Sequence, residues 1–212
     1  MRPDAKGDTV ERAVRLGTAT LHEAAGKIGA LPSAIGPVWD APAFGGPALT
    51  VRGPAADNLW LHRGLLQAEP GQVMVVTVEG HHEAGYWGEV MAVAAQVRGL
   101  VGLVIDGCVR DVSALRDLGF PVHARGLCIR GTDKDPHGDG AVHGSLRIGD
   151  VDVHSGDLVV ADGDGVVILP QDRAEHIVVD GEAREAEEAR ILTALRRGET
   201  TVDLLNLPKE PK

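Results

Sequence analysis

Between Val104 and Asp111 the chain reads VIDGCVRD. An apolar run ending in Asp106-Gly107 predicts a buried strand that stops at a tight turn, and the turn then delivers Arg110 and Asp111 side by side. Arg presents a planar fork of donors matched to carboxylates, and a single Asp suits a hard cation that keeps much of its water. Together they are chemistry for gripping and polarising a small anionic oxo acid. Upstream, Gly88, Glu89, Val90 and Met91 follow Trp87. The first turn of a helix leaves backbone N–H groups unpartnered, so these four residues are candidates to hold a carboxylate, with Gly88 keeping a side chain out of the anion's way. The same residues also have a purely structural reading, a turn followed by a solvated Arg-Asp pair. Cys108 has no neighbouring base and reads as a small buried apolar residue rather than a nucleophile.

The elements that must position these groups follow from periodicity and breakers. Residues 9–16 and 20–27 read as two short helices broken at Gly17, 48–52 as a strand, 57–67 as a helix capped by Asp57, and 73–78 as a strand after Pro70-Gly71. Residues 88–98 carry one apolar helical face and stop at Gly99, 103–105 form a strand, and 112–118 a short helix stopped by Gly119. Strand, helix, strand, helix predicts a mainly parallel sheet, at whose strand ends ligands gather beside helix starts. After Pro121 the pattern changes. Runs 146–148, 151–154, 158–161 and 166–169, separated by Gly-Asp, Ser-Gly-Asp and Asp-Gly-Asp-Gly, predict an antiparallel meander. Residues 171–197 predict a long helix capped by Asp172 and ended by Gly198, with a solvated face over 182–190. The segment 31–46 is rich in Pro and Gly but too short to separate a pair of domains, and 131–140, with Asp133, Asp135, His137 and Asp139, reads as an exposed loop because it lacks the closing acid of a calcium loop.

Composition narrows the function. The 212 residues carry a net charge of −10, which predicts neither a nucleic-acid nor a membrane partner. Residues 1–8 are polar rather than signal-like, and no apolar run has the length of a membrane span, so a cytoplasmic protein is expected. Cys108 and Cys128 form no disulfide scaffold. Lys27, Lys134 and Lys209 fall outside the motifs, so none of these three supplies the amine of a Schiff-base route. A nucleotide-dependent methyltransferase would need a glycine-rich loop that the chain does not contain.

AGYWGEVM followed by GLVIDGCVRD resembles the class II pyruvate aldolases that act on 4-hydroxy-4-methyl-2-oxoglutarate and 4-carboxy-4-hydroxy-2-oxoadipate. These share a fold with the regulator of ribonuclease activity A. The likeness runs through ATLHEAAGKIGAL, GGPALTV, DNLWLH, LGFPVHARG and GDLVVADGDGVVILP, nearly the whole chain. It implies one RraA-like domain over 1–212, an α/β fold layered α-β-β-α, parallel in its first half and antiparallel in its second. It implies Mg2+ or Mn2+ held by Asp111, the keto acid gripped by Arg110 and by the backbone of Gly88 to Met91, and Glu89 where the family carries an acid that holds water on the metal. His22-Glu23 looks like the N-terminal motif of the aldolase branch, although a lone helical His is by itself a packing or surface residue. The family draws a further acid from a neighbouring subunit's C-terminal helix. Glu185, Glu187 and Glu188 fit the spacing, with Glu188, one turn after Arg184, preferred. The implied assembly is a homotrimer or homohexamer with shared sites. The implied reaction is metal-dependent retro-aldol cleavage to pyruvate and an oxo acid, with oxaloacetate decarboxylation as a side activity. The alternative within the resemblance is a non-catalytic inhibitor of a ribonuclease.

Overall fold

The computed structural model describes residues 5–209, so the first four residues of the polar N-terminal stretch lie outside it. Helix α1 (Ala5–Ala24) is interrupted at Gly17, whose φ of 79° and ψ of 163° no helix accommodates. Strands β1 (Gly36–Pro37) and β2 (Phe44–Arg52) follow, then α2 (Leu59–Leu66), β3 (Val73–Thr77), α3 (Glu89–Val97), β4 (Gly102–Val109), α4 (Val112–Asp117) and β5 (Val122–Leu127). The second half holds β6 (Ala141–Val142), β7 (Leu146–Ile148), β8 (Val151–Val153), β9 (Leu158–Asp162), β10 (Gly165–Leu169), α5 (Ala174–Arg196) and α6 (Thr201–Leu204). In the main sheet β2, β3, β4 and β5 run parallel, while β1, β6, β9 and β10 join antiparallel, in the order β1-β5-β4-β3-β2-β9-β10 with β6 against β2.

Alternation of side chains along each strand assigns them to layers. Leu49, Val51, Met74, Val76, Leu103 and Ile105 point towards Leu61 and Leu65 of α2, Met91, Ala92 and Ala95 of α3, and Leu115 of α4. The opposite face, with Ala48, Val73, Val75 and Val104, packs against Val159, Ala161, Val166 and Ile168 of β9 and β10 and against Leu146, Ile148 and Val153 of the β7–β8 hairpin. The outer face of β9 and β10 then meets Ala13, Leu16 and Leu21 of α1 and Ile177 and Val178 of α5. Helices, parallel strands, antiparallel strands and helices therefore stack as an α-β-β-α sandwich, with burial of each large side chain worth about 2 kcal/mol.

Several local expectations need correction. Asp106-Gly107 is no turn: β4 continues through it to Val109, with a register shift against β5 between Ile105 and Cys108. Arg125 of β5 donates to the Asp106 carboxylate there, which gives the bulged acid a partner inside the sheet. The four runs of the second half do not make one meander but two hairpins, because β7 and β8 pair only with each other while β9 joins β2. At the break, Asp157 accepts from the backbone N–H groups of His154 and Gln171, 2.8 and 3.1 Å away. The Pro-Gly segment contains β1 and the start of β2, and Phe44 to Gly46 pair with Val159 to Ala161 of β9. Helix α5 starts at Ala174 after a turn in which Arg173 N–H donates to Pro170 O at 2.9 Å, and no side chain caps it, Asp172 included. For α2, Asp57 does what a cap does, accepting from Leu59 N–H at 2.7 Å, although the helix begins after Asn58.

His123 on β5 is a polar group inside this interior. It is 1% exposed, its Nε2 donates to Asp162 O at 2.8 Å, and its Nδ1 is buried without a partner. Burial holds its pKa below the ordinary imidazole value, against the pull of the Asp162 carbonyl. His62 is depressed in the same direction by burial and by Lys134. Below about pH 6.5 the unfolded chain takes up protons that these folded imidazoles refuse, so stability falls as pH is lowered through that point. Denaturant titrations across pH should show this slope in the native protein, and His123→Leu should reduce it; an unchanged slope would assign the effect to other groups.

Candidate functional site

The chain between β3 and α3 crosses the end of β4 as a strap. Tyr86 N–H donates to Cys108 O at 3.0 Å, Arg110 N–H to Trp87 O at 2.8 Å, and Gly85 N–H to Arg130 O at 2.8 Å. Below the strap, Trp87 stacks on Phe120 with ring centroids 6.0 Å apart. The Tyr86 hydroxyl donates to His81 O and accepts from Ala56 N–H, and burial pushes its pKa up. Asn58 Nδ2 donates to Tyr86 O at 3.0 Å. The strap is thus held on both sides, and it releases the chain into α3 at Gly88.

Arg110 and Asp111 leave β4 beneath this helix start. Asp111 adopts a left-handed backbone, φ 60° and ψ 37°, a conformation that costs a non-glycine residue on the order of 1 kcal/mol and concentrates at functional sites. Its Oδ2 accepts Glu89 N–H, the first of α3, at 3.1 Å, and Arg110 Nε lies 3.9 Å from the same oxygen. Gly88 is extended, φ −159°, so its glycine is not there for backbone freedom. A Cβ at Gly88 would fall on Asp111 Oδ2 and stand 3.2 Å from Arg110 Cγ. The two charged side chains are 46% and 44% exposed and open into a cleft of about 450 Å³, lined also by Val109, Val112, Leu127, Cys128 and Ile129. Arg110 is the cation in this lining. Its guanidinium offers an anion one positive group in a chain whose net charge is −10, while the Asp111 carboxylate takes the first N–H of α3 and offsets part of that charge.

Gly88, Glu89, Arg110 and Asp111 therefore meet, as the spacing of the motifs predicts. Val90 points outward at 80% exposed, whereas Met91 turns its side chain into the core near Asn58. His22 and Glu23 are not brought to this cleft by their own chain. His22 Nδ1 faces Ile28 O at 3.0 Å beside a separate recess with Lys27, Asp150 and Asp152, and Glu23 lies 3.9 Å from Arg184. Each candidate acid of α5 has a partner within the chain: Glu185 with Arg15, Glu187 with Arg190, and Glu188 with Arg184 at 3.0 Å. Among the described residues no group of three or more His, Cys, Asp or Glu side chains converges to hold a metal ion. Asp111 alone, half exposed and with one oxygen engaged by an N–H, fits a hard divalent cation that completes its shell with water and substrate oxygen. It fits poorly a soft metal that needs a closed set of protein ligands. Two acids of the loop 131–140 have other work: Asp135 accepts His137 N–H at 2.9 Å and Asp139 pairs with Arg52 at 3.0 Å. Cys108 is buried, and that burial raises its thiol pKa. Gly85 does not stand out in the motif; its one sequence signal is the repeat of glycine three residues apart in AGYWGEVM.

Comparison with known proteins fits this geometry. A family model described as RraA-like, Aldolase/RraA, matches residues 18–168. A Halalkalibacterium halodurans protein, named as a proposed 4-hydroxy-4-methyl-2-oxoglutarate aldolase, is 32% identical over 158 residues, 74% of each chain. A solved structure from Pseudomonas syringae pv. tomato superposes with a TM-score of 0.84 at 30% identity, covering 93% of this chain and 92% of the other. Streptomyces coelicolor RraAS2, described as an unusual member of the RNase ES inhibitor RraA protein family, superposes with a TM-score of 0.75 at 28% identity, covering 92% and 98%.

If Asp111 is kept for chemistry, its removal should leave the fold intact. Asp111→Gly relieves the left-handed backbone while losing one hydrogen bond to Glu89 N–H, so unfolding free energy should stay within about 1 kcal/mol of the parent. A much larger loss in chemical denaturation would make the carboxylate a structural cap instead.

Proposed function

We infer that this chain, which belongs to the RraA-like family, is a divalent-metal-dependent pyruvate aldolase acting on a 4-hydroxy-2-oxo di- or tricarboxylic acid. The observation that carries this reading is the convergence of Arg110, Asp111 and the first N–H of α3 over Gly88, in an open cleft. The relative named for 4-hydroxy-4-methyl-2-oxoglutarate cleavage supports it. Asp111 would hold Mg2+ or Mn2+, which supplies Lewis-acid polarisation of a 2-oxo acid's oxygens. Arg110 grips the pyruvyl carboxylate and sets positive charge against the oxygen on which negative charge grows as the C3–C4 bond breaks, the electrostatic contribution that dominates such reactions. The C4 hydroxyl gives up its proton through water held by Glu89, C4 becomes a carbonyl, and C3 takes a proton to leave pyruvate. Oxaloacetate undergoes the same electron flow with loss of CO2.

The site is completed, in this reading, by a neighbouring copy in a trimer or hexamer. Val90, Val93 and Val97 form an exposed stripe on α3, 80%, 42% and 82% accessible, and Leu127 and Ile129 are exposed apolar residues of the cleft lining. The buried residues of α5 end at Gly181, so its distal half has no interior of its own chain to fill. Glu188, or Glu185 or Glu187, would reach the neighbour's cleft from that half, and His22-Glu23 would approach from the neighbour's α1. Leaving the exposed Arg184 partner costs Glu188 about 1 kcal/mol or less.

The similarity to a ribonuclease-inhibitor family member supports a second reading, a non-catalytic binding protein. Pyruvate release separates the two. With added Mg2+ the protein should release pyruvate from oxaloacetate and from 4-hydroxy-4-methyl-2-oxoglutarate, and chelation should abolish both. Activity that survives chelation would overturn the metal assignment, and no release from any substrate would leave the binding reading. Shared sites are tested by mixing. Asp111→Ala and Glu188→Ala should each be inactive alone, and co-refolded oligomers should regain some of the activity at interfaces joining two intact residues. Mixed oligomers, confirmed by mass, that stay inactive would exclude Glu188 as the shared acid.

A further inference from the structure

Arg110 does not reach the cleft as a free arm. A Cβ placed on Gly85 would stand 3.2 Å from Arg110 Cδ and 3.3 Å from its Cβ, and would run into Cys128 O. On Gly88 it would stand 3.2 Å from Arg110 Cγ. The methylene stem of Arg110 thus lies across two glycines, one at each end of the strap. Neither has a positive φ, so each is needed for the room it leaves rather than for its backbone freedom. The walls of this trough are fixed by main-chain bonds: Gly85 N–H to Arg130 O, Arg110 N–H to Trp87 O, and Cys128 N–H to Val109 O at 2.9 Å. A long arginine that is half exposed ordinarily samples many rotamers, and ordering it on binding costs free energy. Here the stem is laid flat before any ligand arrives, and the guanidinium is aimed at the space beside Asp111.

We propose that Gly85 is a positioning residue: its missing side chain makes the trough that pre-orders Arg110 for the oxo-acid carboxylate. This rests on reading Arg110 as the group that grips substrate. Gly88 has a second duty, making room for the Asp111 carboxylate, whereas beside Gly85 the nearest side chain is that of Arg110.

Nitrogen-15 relaxation of the arginine Nε–H groups in the full chain tests it. The Arg110 signal is assigned by its loss in Arg110→Lys. The expected order parameter in the unliganded protein approaches that of rigid backbone, about 0.85, and a value below about 0.6 would overturn the proposal. In Gly85→Ala the Arg110 signal should become mobile, with amide shifts confined to the strap and to the Cys128–Arg130 segment whose carbonyl the new Cβ meets. Pyruvate release from oxaloacetate with Mg2+ should then fall by on the order of a hundredfold, the penalty of a small misplacement. A variant with Arg110 still rigid and turnover unchanged would also overturn it. If Gly85→Ala does not fold, the native order parameter alone decides. A native protein that releases no pyruvate defeats the functional reading but not the order-parameter result, so the two failures remain distinct.

Discussion

Strands β9 and β10 have no solvent face, and the layering of the molecule depends on satisfying both of their sides. Val159, Ala161, Val166 and Ile168 close on the parallel strands, while Leu158, Val160, Val167 and Leu169 close on α1 and α5. Once these strands lie over the parallel sheet, α2, α3 and α4 are left to cover the sheet's other side, and α1 and α5 form the far layer. The α1–α5 pair is decorated with ions: Arg12 meets Glu175 and Glu182, and Arg15 meets Glu182 and Glu185. Arg15, Glu175 and Glu185 are exposed and Arg12 and Glu182 half-buried at the surface, so these pairs contribute little beside the apolar seam of Ala13, Leu16, Leu21, Ile177 and Val178 beneath them. The close approach at Gly181, where a Cβ would come 2.9 Å from Leu16 Cδ1, shows how tightly that seam is drawn.

With both faces of the parallel strands occupied, the carboxyl ends of β4 and β5 are where polar side chains can gather at the surface. Helix α3 begins there, and its first N–H is satisfied by the carboxylate of Asp111 rather than by a cap of its own. The acid and the helix start are thereby locked to each other, and Arg110 is carried along by its bond to Trp87. Global charge does not oppose this local arrangement strongly, because at physiological salt a charge more than about 8 Å away through solvent is largely screened. The site's character is set by its nearest groups.

Legibility in the sequence follows the range of the interaction involved. Helices α2, α3 and α4 and strand β3 are readable because their apolar periodicity and end signals are local. Asp106-Gly107 reads as a turn because what keeps it in the strand is distant: Arg125 on the next strand takes the acid, and Gly107 tucks against Val78, whose Cγ2 would meet an added Cβ at 2.9 Å. Strand β5 is hidden because VHARGL shows no clean alternation; His123 is held in the interior by its bond to Asp162 O and its edge contact with Phe44, both far along the chain. At the site, residue types and adjacency announce Arg110, Asp111 and Gly88. Gly85 cannot be weighed in the same way, since its significance lies in a contact with a residue far along the chain.

Several features of the site are costly within one chain. Asp111 holds a strained backbone, Val90, Val97 and Ile129 stand in water at 80%, 82% and 91% exposure, and two glycines loosen the unfolded strap. Folding alone would favour removing each of them, by a glycine at Asp111, polar residues on the α3 stripe and an alanine wherever space allowed. Their concentration around one cleft, while the cores on either side of the sheet are filled with ordinary apolar residues, separates this region physically from the rest of the fold. An exposed apolar stripe on a helix that starts at a charged cleft is compensated when something covers the one and fills the other. A ligand held by Arg110 and Asp111, with a second copy seated on α3, would compensate both at once, whereas a partner covering the stripe alone would leave the strain at Asp111 without a return.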